Sequence, residues 1–310
     1  MKTDILLAVY NGEAYLPALL DSLAAQTYGN FHVLFQDDGS TDGTVELLRA
    51  RAGADTRFIG GSESGRHKGA AGNFISLLRQ SSADRILLCD QDDIWLPEKT
   101  ALLMKEMDRA EAACPAGTPL LVHSDCAVID VGGKVLFPSF FRLQGWNPHA
   151  VTLPPLLVQN NVTGCTTIIN RPLADLAARY ADPSRMFMHD WFLALTAASF
   201  GRVVFLDRAL TRYRQHEGNA IGASRTSLLR RGLKALEARD QARERIVLTY
   251  EHTQAFRDAF GDRLPSPAAA VIREYLATRN LPKWKRIHAI RKQGCVMQSR
   301  VTRLGQILFG

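Results

Sequence analysis

Leu87-Leu88-Cys89-Asp90-Gln91-Asp92-Asp93-Ile94-Trp95 is an apolar run that breaks off into three carboxylates spread over four positions. A buried strand carrying Asp90, Asp92 and Asp93 to its carboxyl end gathers negative charge that repels itself unless a cation sits there. A metal site is the simplest reading. Oxygen ligands suit Mg2+ or Mn2+, ions that stay partly hydrated and share their shell with substrate phosphates. The competing reading is a solvated acidic turn ahead of a helix starting near Pro97.

Upstream of this stretch, apolar strands alternate with amphipathic helices. Strands are expected over Asp4 to Val9, Phe31 to Phe35, Arg57 to Ile59 and Arg85 to Cys89, and helices over Tyr15 to Ala25, Thr44 to Arg51 and Ala70 to Gln80. Such alternation predicts an α/β fold with a mostly parallel sheet covered by helices on both faces. Ligands of such sheets bind at the carboxyl ends of the strands. The loops Tyr10 to Glu13, Gln36 to Asp42, Gly60 to Gly69 and Asp90 to Asp93 converge there, which puts the acidic motif in the right place.

Each loop offers something a nucleotide can use. Gln36-Asp37-Asp38-Gly39-Ser40-Thr41-Asp42-Gly43-Thr44 turns on two glycines, and Asp42 can cap the next helix. Asp38 is then left over as a candidate acceptor for the imide N–H of a uracil or thymine ring, with Tyr10 a candidate stacking partner. Gly60 and Gly65 have phosphate-loop spacing, but Arg66 and His67 stand where a Lys and a Ser or Thr are needed, and no GxGxxG occurs. Arg66 and Lys68 either face a diphosphate or are ordinary surface charge.

Composition bounds the rest. A chain of 310 residues with 46% hydrophobic residues fits one large α/β domain plus an appendage. Cys89, Cys114, Cys126, Cys165 and Cys295 lack CxxC spacing, so neither a zinc site nor a disulfide framework is indicated and a reduced, cytoplasmic setting is expected. No signal peptide is read at the start, and no apolar stretch reaches the ~18 residues of a membrane span. The formal charge of +7 is local: residues 281 to 310 hold seven basic residues and no acid. Trp284, Ile287, Ile290, Met297, Val301, Leu304 and Leu308 fall among them at roughly helical spacing. That pattern resembles an interfacial helix, peripheral on the inner face of an anionic membrane. The alternative is a tail packed on its own chain or on a second subunit. Nucleic acid is disfavoured, since no aromatic-interleaved basic platform accompanies the charge.

Four ordered pieces resemble a family 2 glycosyltransferase of the GT-A fold: Ala8-Val9-Tyr10-Asn11-Gly12, Gln26-Thr27, Asp37 to Thr44, and the DXD motif Asp90-Gln91-Asp92. Further on, Asn161-Val162-Thr163-Gly164-Cys165-Thr166, Met188-His189-Asp190-Trp191 and Tyr213-Arg214-Gln215-His216 resemble the bacterial rhamnosyltransferase-like branch. The likeness spans about residues 3 to 222. It implies a Rossmann-like GT-A catalytic domain at 1–222, with a nucleotide-sugar half at 1–95 and an acceptor half at 96–222. A helical, basic extension follows at 223–310. There, 224–260 reads as a long helix, 264–267 as a break and 268–279 as another helix, packed on the catalytic domain or in a dimer contact.

Carried over by residue, the resemblance implies that Tyr10 and Asp38 hold the base. Ala8, Asn11, Glu13, Arg66, Lys68, Asn73, Asp90, Gln91 and Gly164 complete the donor site. Asp92 and Asp90 would bind Mg2+ or Mn2+ with His216 as a further contact, and Arg212, Arg214 and Gln215 near His216 form a cluster suited to phosphate. Asp190 would be the catalytic base, a role open to a carboxylate within reach of a sugar hydroxyl, although it also suits a helix N-cap. Gly164 permits close backbone approach to donor or acceptor. Trp95 and Trp191 are either sugar-stacking or core residues. Two departures stand out: Ala8 replaces a Ser or Thr common in relatives, and His189-Asp190 replaces Glu-Asp.

The implied reaction is a metal-dependent single displacement with inversion at the anomeric carbon. The branch favours dTDP-L-rhamnose as donor and a glycan or polyprenyl-linked glycan as acceptor, in O-antigen or capsule synthesis. A UDP-hexose or UDP-HexNAc donor is the alternative. From other classes, a nucleotidyltransferase or phosphatase lacks its Asp-x-Asp-x-Thr here, and a non-catalytic nucleotide-sugar-binding protein would have no use for Asp190.

Overall fold

The computed structural model describes residues 1–55, 57–60, 67–216 and 234–309. The first half follows the expected alternation. β1 (Thr3–Val9), α1 (Leu16–Ala24), β2 (His32–Asp37), α2 (Thr44–Ala54), β3 (Phe58–Gly60), α3 (Gly69–Gln80) and β4 (Arg85–Asp90) lie within a few residues of the sequence expectation. β1 and β4 are buried almost throughout, as strands covered on both faces must be. Their side chains alternate between two cores. Leu6, Ile86 and Leu88 face α3, while Ile5, Leu7, Val9, Leu87 and Cys89 face α1 and the helix after β4.

Beyond β4 come β5 (Ile94–Trp95), α4 (Lys99–Ala112), β6 (Leu120–Ile129), β7 (Val135–Phe137), α5 (Phe140–Gln144), α6 (Leu153–Val158), β8 (Thr167–Asn170), α7 (Arg171–Tyr180), α8 (His189–Phe200) and β9 (Arg202–Arg214). They extend the same sheet, in the order β3-β2-β1-β4-β8-β6-β9-β5, with β7 paired to β6. Parallel pairing carries most of the ladder, through β3-β2-β1-β4 and the long β6-β9 pair. β8 runs antiparallel between β4 and β6. The register matters: Ala8 lies between Gln36 and Asp90, so the ends of β1, β2 and β4 stand side by side. β9 runs along β6 and pairs with β5 at Thr211 and Arg212, which brings Arg214 and His216 to the acidic loop.

The C-terminal region is helical: α9 (Lys234–Phe260), α10 (Ser266–Ala277), α11 (Lys283–Gln293) and α12 (Arg300–Phe309). The expected start of a helix at 224 and the domain boundary at 222 lie outside the described residues. Of these helices, α9 and α10 pack against α6, outside the sheet. Phe256, Phe260, Ile272 and Tyr275 are buried in the same core as Phe74 and Phe192, with Phe192 stacked on Phe260 at 5.8 Å. A fully buried Leu- or Phe-sized side chain contributes about 2 kcal/mol, so this packing is integral to the fold. The single interfacial helix expected over the basic tail is corrected to two helices, because Gly294 adopts a left-handed conformation (φ +75°) that ends α11. Ile290, Cys295 and Met297 turn inward. No helix among the described residues is long and apolar enough to cross a membrane.

Candidate active site

The loops after β1 and β2 are stitched together by short polar side chains. Asn11, at a left-handed φ of +48°, receives the Thr41 N–H on its Oδ1 at 2.8 Å and donates its own N–H to Ser40 Oγ at 2.8 Å. Glu13 receives the Gly43 N–H at 2.9 Å and donates its N–H to Asp42 at 3.1 Å. The Gly12 N–H donates to Thr44 Oγ1. Asn11 and Glu13 thus bond the second loop, which fixes its shape.

Gln91 clamps the first loop to the acidic one. Its Oε1 accepts the Tyr10 N–H at 2.7 Å and its Nε2 donates to the Tyr10 carbonyl at 2.8 Å. A Cβ on Gly12 would lie 2.5 Å from Gln91 Oε1, so any larger residue there would push the Gln91 amide out of this clamp. Tyr10 itself is exposed, its ring 4.7 Å from that of His67. Beside this pair, buried Asp38 accepts the N–H groups of Lys68 and Gly69 at 2.7 and 2.8 Å, and His67 Nδ1 lies 2.9 Å away. Asp38 therefore anchors the start of α3, and His67 links it to Tyr10. His67 was not singled out for the base from sequence. Asn73 is buried in α3, donating to the Gln36 carbonyl while its Oδ1 has no hydrogen-bond partner. Lys68 is exposed, and Arg66 lies outside the described residues.

At the end of β4 the three carboxylates part company. Asp92 Oδ2 is 2.8 Å from His216 Nε2, and His216 stacks on Tyr15 at 4.9 Å. Asp90 is half-buried, and desolvation followed by the charges of Asp93, Asp92 and Asp190 pushes its carboxyl well above the usual range. Asp93 lies deeper than Asp90 and Asp92. It is fully buried, accepts the Arg214 N–H at 3.2 Å and sits near Lys99, with its carboxyl pushed up to about 7 by burial and then by Asp92. Lys99 is also fully buried, its Nζ 3.3 Å over the Trp95 ring and donating to the Cys165 carbonyl. Burial lowers this ammonium to about 8. Sequence alone missed it, since a lysine in a first helical turn ordinarily faces water.

Arg214 is 4% exposed and its guanidinium donates to the carbonyls of Asp92, Asp130 and Val131, so it braces the acidic loop. Trp95 and Trp191 are likewise core residues, 2% and 5% exposed, and Trp191 Nε1 donates to the Leu156 carbonyl.

Asp190 stands in the first turn of α8, where the helix N-terminus favours negative charge. Its Oδ1 accepts from Trp191 N–H at 2.6 Å and Asn160 Nδ2 at 3.1 Å, and its Oδ2 from Gly164 N–H at 3.0 Å. Burial outweighs these bonds and raises the carboxyl to about 7. A Cβ on Gly164 would lie 2.9 Å from His189 Nε2, so glycine is what lets this backbone reach Asp190. His189 stacks on Phe74 at 4.1 Å, and burial lowers it to about 3, so it stays neutral beside Asp190. Asn160 escaped the sequence reading because nothing in the motif marks which asparagine of Asn160-Asn161 meets Asp190.

Asp92 and His216 offer a carboxylate oxygen and an imidazole nitrogen, with Asp90 nearby under repulsion that a cation would relieve. This donor set fits Mn2+ or Mg2+. The tightest ligand cluster among the described residues is Asp90, Asp93 and Cys165, but burial holds the Cys165 thiol well above its normal range, and a thiol does not suit either ion.

A mostly parallel sheet with an acidic loop at the carboxyl edge of its strands is the GT-A fold. Residues 4–149 match the family model Glycosyl transferase family 2, so this part of the chain is a family 2 glycosyltransferase domain and the protein is a transferase. The chain is 26% identical over 237 residues to a dTDP-rhamnosyl transferase, RfbG, of Shigella flexneri, covering 70% of this chain and 74% of that one. It is 26% identical over 166 residues to the Escherichia coli UDP-Glc:alpha-D-GlcNAc-diphosphoundecaprenol beta-1,3-glucosyltransferase WfgD, covering 54% of this chain and 58% of that one. In fold it is similar to S. aureus TarS 1-349 in complex with UDP, with a TM-score of 0.58 at 16% identity, covering 99% of this chain and 88% of that one.

Proposed function

We propose that the protein moves one sugar from a nucleoside-diphosphate sugar to a hydroxyl of a growing glycan, with inversion at the anomeric carbon. The observation that carries this is Asp190: a buried carboxylate raised to about 7, aligned by three N–H donors, and close enough to Asp90 for its charge to raise that carboxyl. A base poised near neutral pH takes a proton most effectively at that pH. Residues 1–95 hold the donor, with the base between Tyr10, His67 and Asp38, and residues 96–222 present the acceptor to Asp190.

Asp92, His216 and Asp90 would hold a divalent cation, which when bound offsets negative charge on the departing nucleoside diphosphate. Gln91 and Arg214 keep that loop in place, and Lys99 supplies a buried positive charge behind it. Asp190 accepts the hydroxyl proton as the acceptor oxygen attacks from the opposite face. Among the described residues, no second carboxylate outside the metal loop is placed beside Asp190 to form a covalent intermediate, which favours one displacement over two.

Similarity to the Shigella protein favours dTDP-L-rhamnose as donor. The E. coli relative supports a second reading, a UDP-hexose donor, and its name supports a polyprenyl-diphosphate-linked acceptor in polysaccharide synthesis. The test is a donor screen with Mn2+ or Mg2+, reading nucleoside diphosphate release and thermal shift, with Asp92→Ala as control. Metal-dependent stabilisation by one donor, lost in Asp92→Ala, supports the site; no response to any donor with either metal defeats it. NMR of the product decides the stereochemistry, and retention sinks the single displacement.

A further inference from the structure

The basic tail has two faces. Ile290, Cys295, Met297 and Gln306 turn into the protein. Val301, Leu304 and Leu308 turn out, 81%, 55% and 48% exposed, at the i, i+3, i+7 spacing of one stripe on α12. Trp284 of α11 is 73% exposed. It belongs to the same end of the surface, because its neighbour Lys283 donates from Nζ to the Leu308 carbonyl at 2.6 Å. Lys285, Arg291, Lys292 and Arg300 are exposed on the same two helices, and 281–310 contains no acid.

The surface has a fixed relation to the base. In the turn between α11 and α12, the Gln298 N–H donates to Gln159 Oε1 at 2.9 Å, and Gln298 Oε1 accepts the Asn147 N–H at 2.9 Å. Gln159 immediately precedes Asn160, which holds Asp190. The tail is thus bonded to the segment that aligns the base.

We propose that α11 and α12 form a docking surface for an anionic membrane, with Trp284, Val301, Leu304 and Leu308 entering the headgroup region and the basic residues meeting lipid phosphates. Exposed apolar residues with Lys and Arg on the same helices are what such a surface needs, and a Trp at its end suits the interface. A second copy of the chain fits less well, since two such surfaces would bring like charges together. The inference deepens the reading of a lipid-linked acceptor: docking would hold the acceptor side of the site at the bilayer from which that acceptor comes.

The test is co-sedimentation of the full chain with vesicles of phosphatidylcholine containing about 30 mol % phosphatidylglycerol, against phosphatidylcholine alone. Two variants accompany it: Trp284→Ser with Leu304→Ser, and Lys285→Gln with Arg291→Gln, Lys292→Gln and Arg300→Gln. All six positions are exposed, and unchanged thermal unfolding confirms the fold. The expected result is binding to anionic vesicles that falls about tenfold or more in either variant and on neutral vesicles. Three results overturn the proposal: no binding to anionic vesicles, equal binding by wild type and both variants, or a dimer in analytical ultracentrifugation that Leu304→Ser dissociates. Donor hydrolysis without acceptor, measured on the same samples, reports the glycosyltransferase reading separately, because none of these residues touches the catalytic loops.

Discussion

The end of β4 and the start of α8 both present buried acid, and they differ in what answers its charge. At β4, Asp90, Asp92 and Asp93 raise or feel one another's charge, answered from within by buried Lys99 and at the surface by His216. At α8, the hydrogen-bond donors to Asp190 among the described residues are neutral, the N–H groups of Trp191, Gly164 and Asn160, with a neutral histidine alongside. A cluster that repels itself is suited to take up a cation, whereas a single carboxylate raised to about 7 is suited to take up a proton. Two regions of similar composition thereby acquire different chemistry from their surroundings.

The sharpest way to break that contrast is Asp190→Asn. The amide keeps the shape and can still accept from Gly164, but it cannot take a proton at neutral pH. Transfer is expected to fall about 10²–10⁴-fold, while donor binding by calorimetry stays within about twofold. A matching loss of donor binding would move Asp190 into the donor site and dissolve the distinction.

Lys99→Met probes the other region from beneath. Methionine fills the volume but removes the buried ammonium whose charge opposes those of Asp90 and Asp93, which costs about 3 kcal/mol when such charges are left without it. The loss has a pH sign. Asp93 is raised to about 7, above its unfolded value, so the folded state binds that proton more tightly and stability falls as pH rises through that range. Removing Lys99 steepens the fall, so the melting temperature should drop more at pH 8 than at pH 5. An equal drop at both would mean that Lys99 acts by packing on Trp95 alone.

His216→Ala is a milder test of the same loop. Loss of one ligand should raise the Mn2+ concentration for half-maximal activity by about 10–100-fold, with kcat at saturating metal changed much less. An unchanged metal requirement would make His216 a hydrogen-bonded brace on Asp92 like Arg214.

The contrast was only partly legible in the sequence, for physical reasons. β1 to β4 could be read because parallel strands covered on both faces are continuous apolar runs such as Asp4 to Val9 and Arg85 to Cys89. β5 has two residues and β8 four, and both exist through their partners, β9 for one and β4 and β6 for the other. No local pattern announces such strands. The tail's apolar spacing was visible, but which residues face inward depends on the break at Gly294 and on α12 lying against α9. In the site, Asp90, Asp92 and Asp190 stood out by motif, whereas the inward turn of Asp93, the burial of Lys99 and the clamp of Gln91 on Tyr10 depend on distant strands.

Asn160→Ala is the smallest change and the most discriminating. The Asn160 amide donates to Asp190 and so favours the charged carboxylate. Below about 7 Asp190 is protonated and cannot act as base, so kcat/KM should rise with pH through that value in the wild type. Without Asn160 the neutral form gains, and the inflection should move upward by about half a unit to one unit. At pH 6 transfer would then drop about three- to tenfold, while at pH 9 both proteins would run at similar rates. A purely structural asparagine would lower the rate equally at every pH and leave the inflection in place. A downward move would mean that Asp190 answers to the acids at β4 more than to its own neutral donors, and the two regions would have to be treated as one coupled set.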